Sequence, residues 1–219
     1  MVPPELSGNF STSPAYAEAS RLISVLVTLL TDNQMEEKAV RTLSLLASAY
    51  IMQRQFEVAN RYAQQALHLS EQRQDKGDTG VILSVLSYIA HMQDDLETAQ
   101  TYAEQSLSLL QTIGDLGSQA MTFYKLGGIY LAKNQPALAL EASEKSLALC
   151  QQSQFYLQQG WTLIQLAKCC QAMEKQNAAQ QYWRDAWKMA QSLQNKALLD
   201  AVREQSPISH QPDSVQDPA

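Results

Sequence analysis

Few residues in this chain could do chemistry, and they are poorly placed to do it together. Three cysteines occur, Cys150, Cys169 and Cys170. On a helix, adjacent side chains point about 100° apart, so Cys169 and Cys170 are badly placed to chelate one ion. Neither a disulfide framework nor a zinc site follows, and the three are expected to be reduced, small apolar core residues. None of His68, His91 and His210 has a second His or Cys three or four residues away, so no metal site is expected. The carboxylate pairs Glu36-Glu37 and Asp94-Asp95 fall where helices should begin. There they are expected to face the positive end of a helix dipole rather than to exchange protons. The chain carries no Gly-rich phosphate loop, GxSxG, HExxH or CxxC. The expectation is therefore a protein that is not an enzyme and needs no cofactor or metal.

The elements that position these residues are legible in the composition. The chain has 219 residues, of which 45% are hydrophobic and only 17% charged, with 28 Gln supplying much of the polar surface. Gly (8) and Pro (7) are scarce. Abundant Ala, Leu and Gln lose little rotamer freedom in a helix, so the chain is expected to be mostly helical. The net charge is −6 and the 16 Lys and Arg are scattered, which argues against a phosphate-backbone binder and hence against nucleic acid. The longest apolar run, Leu22–Leu30, has nine residues, is interrupted by Ser and Thr, and is too short for membrane insertion. The start, MVPPELSGNF, shows no basic and apolar leader, so a cytoplasmic location is expected.

An internal repeat organises the rest. At a shift of 40 residues, Leu46, Leu86, Leu126 and Leu166 coincide, each followed by a small residue: Ala47, Ser87, Gly127, Ala167. Leu43, Leu83, Phe123 and Leu163 stand three residues earlier, and Ala59, Ala99, Ala139 and Ala179 thirteen residues later. Small residues recur at Ala66, Ser106, Ser146 and Ala186. Within a unit these positions fall three or four apart, giving two apolar helical stripes separated by polar breakers such as Gln53-Arg54-Gln55. Each unit therefore reads as an antiparallel helix pair, and stacking is what buries both stripes.

This pattern resembles the tetratricopeptide repeat (TPR) family in its 40-residue form, over about residues 35–194. Unit one shows it as Leu43, Leu46-Ala47, Tyr50, Ala59, Ala63, Ala66, and unit three as Phe123, Leu126-Gly127, Tyr130, Ala139, Ser143, Ser146. The usual unit has 34 residues. The longer form implies longer helices and longer loops between units, here Gln74-Asp75-Lys76-Gly77 and Gly114-Asp115-Leu116-Gly117. The usual turn glycine is replaced by Arg54, Asp94, Asn134 and Glu174. The implied fold is all-α, a right-handed α-solenoid of antiparallel helix pairs, a TPR-like superhelix. The pairs are expected at about 40–73, 80–113, 120–153 and 160–193. Capping helices are expected over 13–31 and 196–205, with disordered ends at 1–12 and 206–219.

The resemblance also implies a site. In this family the first helices line a concave groove, which by analogy receives Arg41, Tyr88, His91, Met121, Tyr124, Trp161, Ile164 and Lys168. These positions are apolar and aromatic, with only Arg41 and Lys168 charged and no Asn at the second, fifth and ninth places of a unit. That argues against the clamp by which some relatives hold a chaperone's terminal carboxylate. It suits an amphipathic or apolar segment of a partner protein. Met121, Tyr124 and Trp161 could instead be covered by the terminal helices or serve as core. The expected function is a non-enzymatic scaffold or adaptor that binds a partner segment in the groove. The alternative is a peptide- or ligand-responsive sensor whose output resides in a partner. Self-association through the terminal helices is a further expectation.

Overall fold

The computed structural model describes residues 35–207, together with Val25. The expected N-terminal capping helix and both disordered ends fall wholly or largely outside the described residues. Two compact units divide the chain, Met1–Asp75 and Lys76–Ala219.

Among the described residues the fold is all-α, with nine helices packed as sequential antiparallel pairs. The first unit holds α1 (Glu36–Met52) and α2 (Phe56–Gln72). The second holds α3 (Lys76–Met92), α4 (Leu96–Ile113), α5 (Leu116–Ala132), α6 (Pro136–Gln152), α7 (Tyr156–Ala172), α8 (Gln176–Ser192) and α9 (Lys196–Gln205).

The turns explain the period. A residue with positive φ stands at Arg54, Gln74, Asp94, Gly114, Asn134, Gln154, Glu174 and Gln194, every 20 residues. At each, two hydrogen bonds close the helix end. The left-handed residue donates to the carbonyl three back, as Arg54 does to Ile51 at 2.9 Å. The next residue donates to the carbonyl five back, as Gln55 does to Tyr50 at 2.9 Å. This is the Schellman closure, which satisfies carbonyls that the helix leaves orphaned. The replaced turn glycines thus keep the left-handed geometry without glycine. Three of the following residues then cap the next helix: Asp95, Asp115 and Asn195 accept from the N–H of Thr98, Ser118 and Leu198. So Asp95 is a cap and Asp94 a turn residue, while Glu36 and Glu37 sit in the first turn of α1.

The longer loops expected between units are absent at the two segments named. Lys76-Gly77 and Leu116-Gly117 are already helical, so the connection between units is as short as the turn within a pair. Glycine is tolerated there because in the first helical turn the cap, not propensity, sets the backbone. A unit of 40 residues is two helices of about 17, each with a tight turn, and each first helix begins four residues before the expected start.

In the first unit, α1 buries Ala39, Val40, Leu43, Ala47 and Tyr50 against Val58, Ala59, Tyr62, Ala63 and Ala66 of α2. The Tyr50 and Tyr62 rings stack with centroids 5.5 Å apart. In the second unit the first helices also pack side by side, α3 on α5, α5 on α7 and α7 on α9. They are therefore buried on most sides, and α7 alone buries Leu163, Ile164, Leu166, Ala167, Cys169 and Cys170. All three cysteines are free and buried. The second helices contribute seams of small residues, such as Ala99, Ala103 and Ser106, that let backbones approach.

Buried hydroxyls tie consecutive pairs at repeating places. Ser106 donates to the Gly80 carbonyl at 2.7 Å and lies 3.3 Å from the Thr122 hydroxyl. One unit on, Ser146 donates to the Ala120 carbonyl at 2.8 Å and lies 3.2 Å from the Thr162 hydroxyl. The small position of the repeat is thus also a hydrogen-bonding position in the middle units. At the far end Trp183 is fully buried among Leu166, Ala186, Leu198 and Val202, so α9 covers the last pair.

Candidate functional site

Three consecutive first helices present the same register to one cavity of about 300 Å³, which lies wholly within the second unit. Its walls are Tyr88, His91 and Met92 from α3, Tyr124, Lys125, Gly128 and Leu131 from α5, and Ile164, Gln165 and Lys168 from α7. Tyr88, Gly128 and Lys168 are equivalent positions one unit apart, as are Tyr124 and Ile164, and Lys125 and Gln165. Spacings of three and four place these side chains on one stripe of each helix. The stacking of first helices then brings the stripes together. Gly128 has a local role here. A Cβ at that position would stand 3.3 Å from Gln165 Nε2 and 3.4 Å from His91 Cε1, so the absent side chain helps keep the space open.

The polar groups are mostly donors. The Lys125 ammonium donates to the Ser84 carbonyl at 3.0 Å and to the Ser84 hydroxyl at 2.7 Å. Thr122 also donates to that hydroxyl, at 3.0 Å. Burial pushes the Lys125 amine down to about 8. Partial desolvation of its amine also lowers Lys168, although the residue is exposed. Burial lowers His91 too, against the opposing charge of Asp94. The Tyr124 phenol is raised by burial and by its neighbour Tyr88. Gln165 is buried, and its Oε1 accepts from Ser143 at 3.1 Å. Ile164 is 4% exposed and joins the cavity to the core beneath α7. Among the described residues, no carboxylate lines the cavity. The arrangement offers two ammonium groups, two phenols, an imidazole and apolar walls. These are means of recognition, and among the described residues no cluster of three metal-ligating side chains occurs.

Of the residues expected in the groove, the structure brings Tyr88, His91, Tyr124, Ile164 and Lys168 around this cavity. Met121 is outside its lining and 37% exposed. Trp161 is half-buried and packs against the cluster around Trp183. Arg41 belongs to the first unit, where it is exposed and pairs with Glu37 at 2.9 Å. Sequence reasoning missed Lys125 and Gln165. A signal for Lys125 was present, since it is the one charged residue of α5.

Comparison with known proteins agrees with this architecture. No curated protein matches the chain. Among solved structures, BtubC (BKLC) from P. vanneervenii is similar at 19% identity, over 83% of this chain and 82% of that one, with a TM-score of 0.63. Aspartyl phosphate phosphatase F from Bacillus subtilis is similar at 13% identity, over 86% and 49%, with a TM-score of 0.76. A STAND signal-transduction ATPase with a tetratricopeptide repeat sensor, from Pyrococcus horikoshii, is similar at 17% identity, over 81% and 30%, with a TM-score of 0.62. Identities this low carry the fold alone, and the chain spans half or less of the phosphatase and the ATPase. The profile of the MalT-like TPR region matches residues 40–204, from α1 into α9, and the chain belongs to that family.

Proposed function

We propose that this chain is a non-catalytic interaction module, a scaffold or adaptor that holds a segment of a partner protein against the face formed by α3, α5 and α7. Repeats of this family are generally protein-interaction domains and are usually non-catalytic. The observation that carries the reading is the cavity itself. Residues of one register on three consecutive helices surround an open, partly apolar space, with aromatic and Met side chains at its rim. A packing position of the repeat would be filled at every unit, whereas here Gly128 leaves room. The cavity volume also fits a small ligand, which favours the sensor alternative as the second reading.

Photo-crosslinking tests the proposal. A photoreactive residue is placed at Met92 or Met121 in the full chain, with one at the exposed Met52 of the first unit as control. A discrete protein adduct from Met92 or Met121, absent from the control and lost on adding Gly128→Leu, is the expected result. Circular dichroism checks that the variants remain helical. Adducts that ignore Gly128→Leu, or none from either position, would overturn the assignment of this face. Loss of the adduct on adding a small molecule extracted from the host cells would favour the sensor reading.

A further inference from the structure

We infer that the cavity recognises a carboxylate carried by the bound segment, an acidic side chain set beside an apolar one; this deepens the reading above and rests on it. The charge of the cavity is opposite to that of the chain. The chain as a whole carries −6, yet among the described residues the lining comprises two lysines, a histidine and no carboxylate. Asp94 acts on His91 from outside the lining. Lys125 is drawn out of solvent and fixed by two hydrogen bonds to Ser84, a neutral residue, so its charge is oriented but not balanced within the cavity. A cation held in a poorly solvated place is unfavourable unless an anion accompanies it.

The repeat itself shows that these lysines are not required by packing. At the Lys125 position the other units carry Leu45, Val85 and Gln165. At the Lys168 position they carry Ser48, Tyr88 and Gly128. Positions that hold the array together, such as Leu46, Leu86, Leu126 and Leu166, repeat; these two do not. Both unrepeated cations nevertheless border the same space. The remaining walls define the company of the anion. Met92, Leu131 and Ile164 supply apolar surface, and the Tyr88 and Tyr124 phenols can donate to an oxygen acceptor. A space of about 300 Å³ admits one or two side chains and not a whole helix. No Asn stands at the second, fifth or ninth place of a unit; Lys168 occupies a ninth place, while Lys125, at the sixth, lies outside that set.

A random dodecapeptide display library selected on the full chain provides the probe. Selected peptides enriched in Asp or Glu next to an aliphatic residue are the expected result. A selected peptide is then made with blocked ends, alongside its Glu→Gln counterpart and a version with a free terminal carboxylate. Loss of a charge-assisted hydrogen bond predicts about tenfold weaker binding for the Gln peptide, and the same for Lys168→Met. The two changes together should weaken binding no further than either alone. Lys168 is exposed, so its variant keeps the test valid even where Lys125→Met fails to fold. Binders without an acidic preference, or equal affinity for the Glu and Gln peptides, would overturn the carboxylate and leave the groove standing. Binding that needs the free terminus would transfer the carboxylate from side chain to chain end. A library that yields no binder would overturn both readings.

Discussion

Burial of the Lys125 ammonium has a consequence for stability that can be signed. Its folded value near 8 lies below the ordinary 10.5. Between these values the unfolded chain binds more protons than the folded one, so stability rises with pH across that window. The slope contributed is at most about 1.4 kcal/mol per pH unit. Below pH 8 both states are charged and the slope vanishes. Denaturant unfolding of wild type and Lys125→Met from pH 7.5 to 10 is expected to show a stability difference that shifts in favour of wild type as pH rises. Parallel curves would mean that the ammonium is solvated in the folded protein. His91 has the same sense at lower pH. Burial holds its imidazole below the ordinary 6.5, so protonation as pH falls below that value opposes folding.

At the scale of the element, one device recurs eight times. Each of the helices α1 to α8 ends in a left-handed residue, and seven of these eight residues are not glycine. An L-residue pays roughly 1–2 kcal/mol for that conformation. Glycine avoids the strain but gives the unfolded chain more freedom to lose. Gln154→Gly is therefore expected to stabilise the protein by about 0.5–1 kcal/mol, and Gly114→Gln to destabilise it by a similar amount. Chemical denaturation of both variants checks this, and equal signs for the pair would show that the side chains, not the backbone, decide. Spacing between helices is set as tightly as their ends. A Cβ at Gly160 would collide with Leu198 Cδ2, so a larger residue there fits only by displacing the Leu198 side chain, which seats α9 on α7.

For the molecule as a whole, stability in such an array is close to a sum of pairs and their neighbouring interfaces. The unit Lys76–Ala219 has its own core, from Ile82 and Leu86 in α3 to Trp183 and Val202. A chain consisting of residues 76–219 is expected to fold alone, with a helical spectrum and cooperative thermal unfolding. It should also retain the cavity, whose lining residues all lie within it. A fragment without cooperative unfolding would show that the first unit is needed to complete this core. No helix among the described residues is long and apolar enough to cross a membrane.

The repeat is legible in the residues alone. Packing must be satisfied once per unit, so Leu46, Leu86, Leu126 and Leu166 and the small residues beside them recur without a gap, and the helix pairs can be read from them. Turn length was misread at Gly77 and Gly117, because glycine marks a loop in the sequence while a cap can place it inside a helix. The site was legible in part. Tyr88, His91, Tyr124, Ile164 and Lys168 follow once the register is joined to the family resemblance, which turns the first helices toward a groove. Trp161 and Lys125 do not, because spacing gives the face of one helix and not what the next helix puts against it. Packing alone sets Trp161 against the Trp183 cluster and brings Lys125 of α5 to Ser84 of the neighbouring α3, 41 residues away in the chain. The physical reason is that burial belongs to the stack: a side chain's solvent, charge and partners are set by neighbours a whole repeat distant.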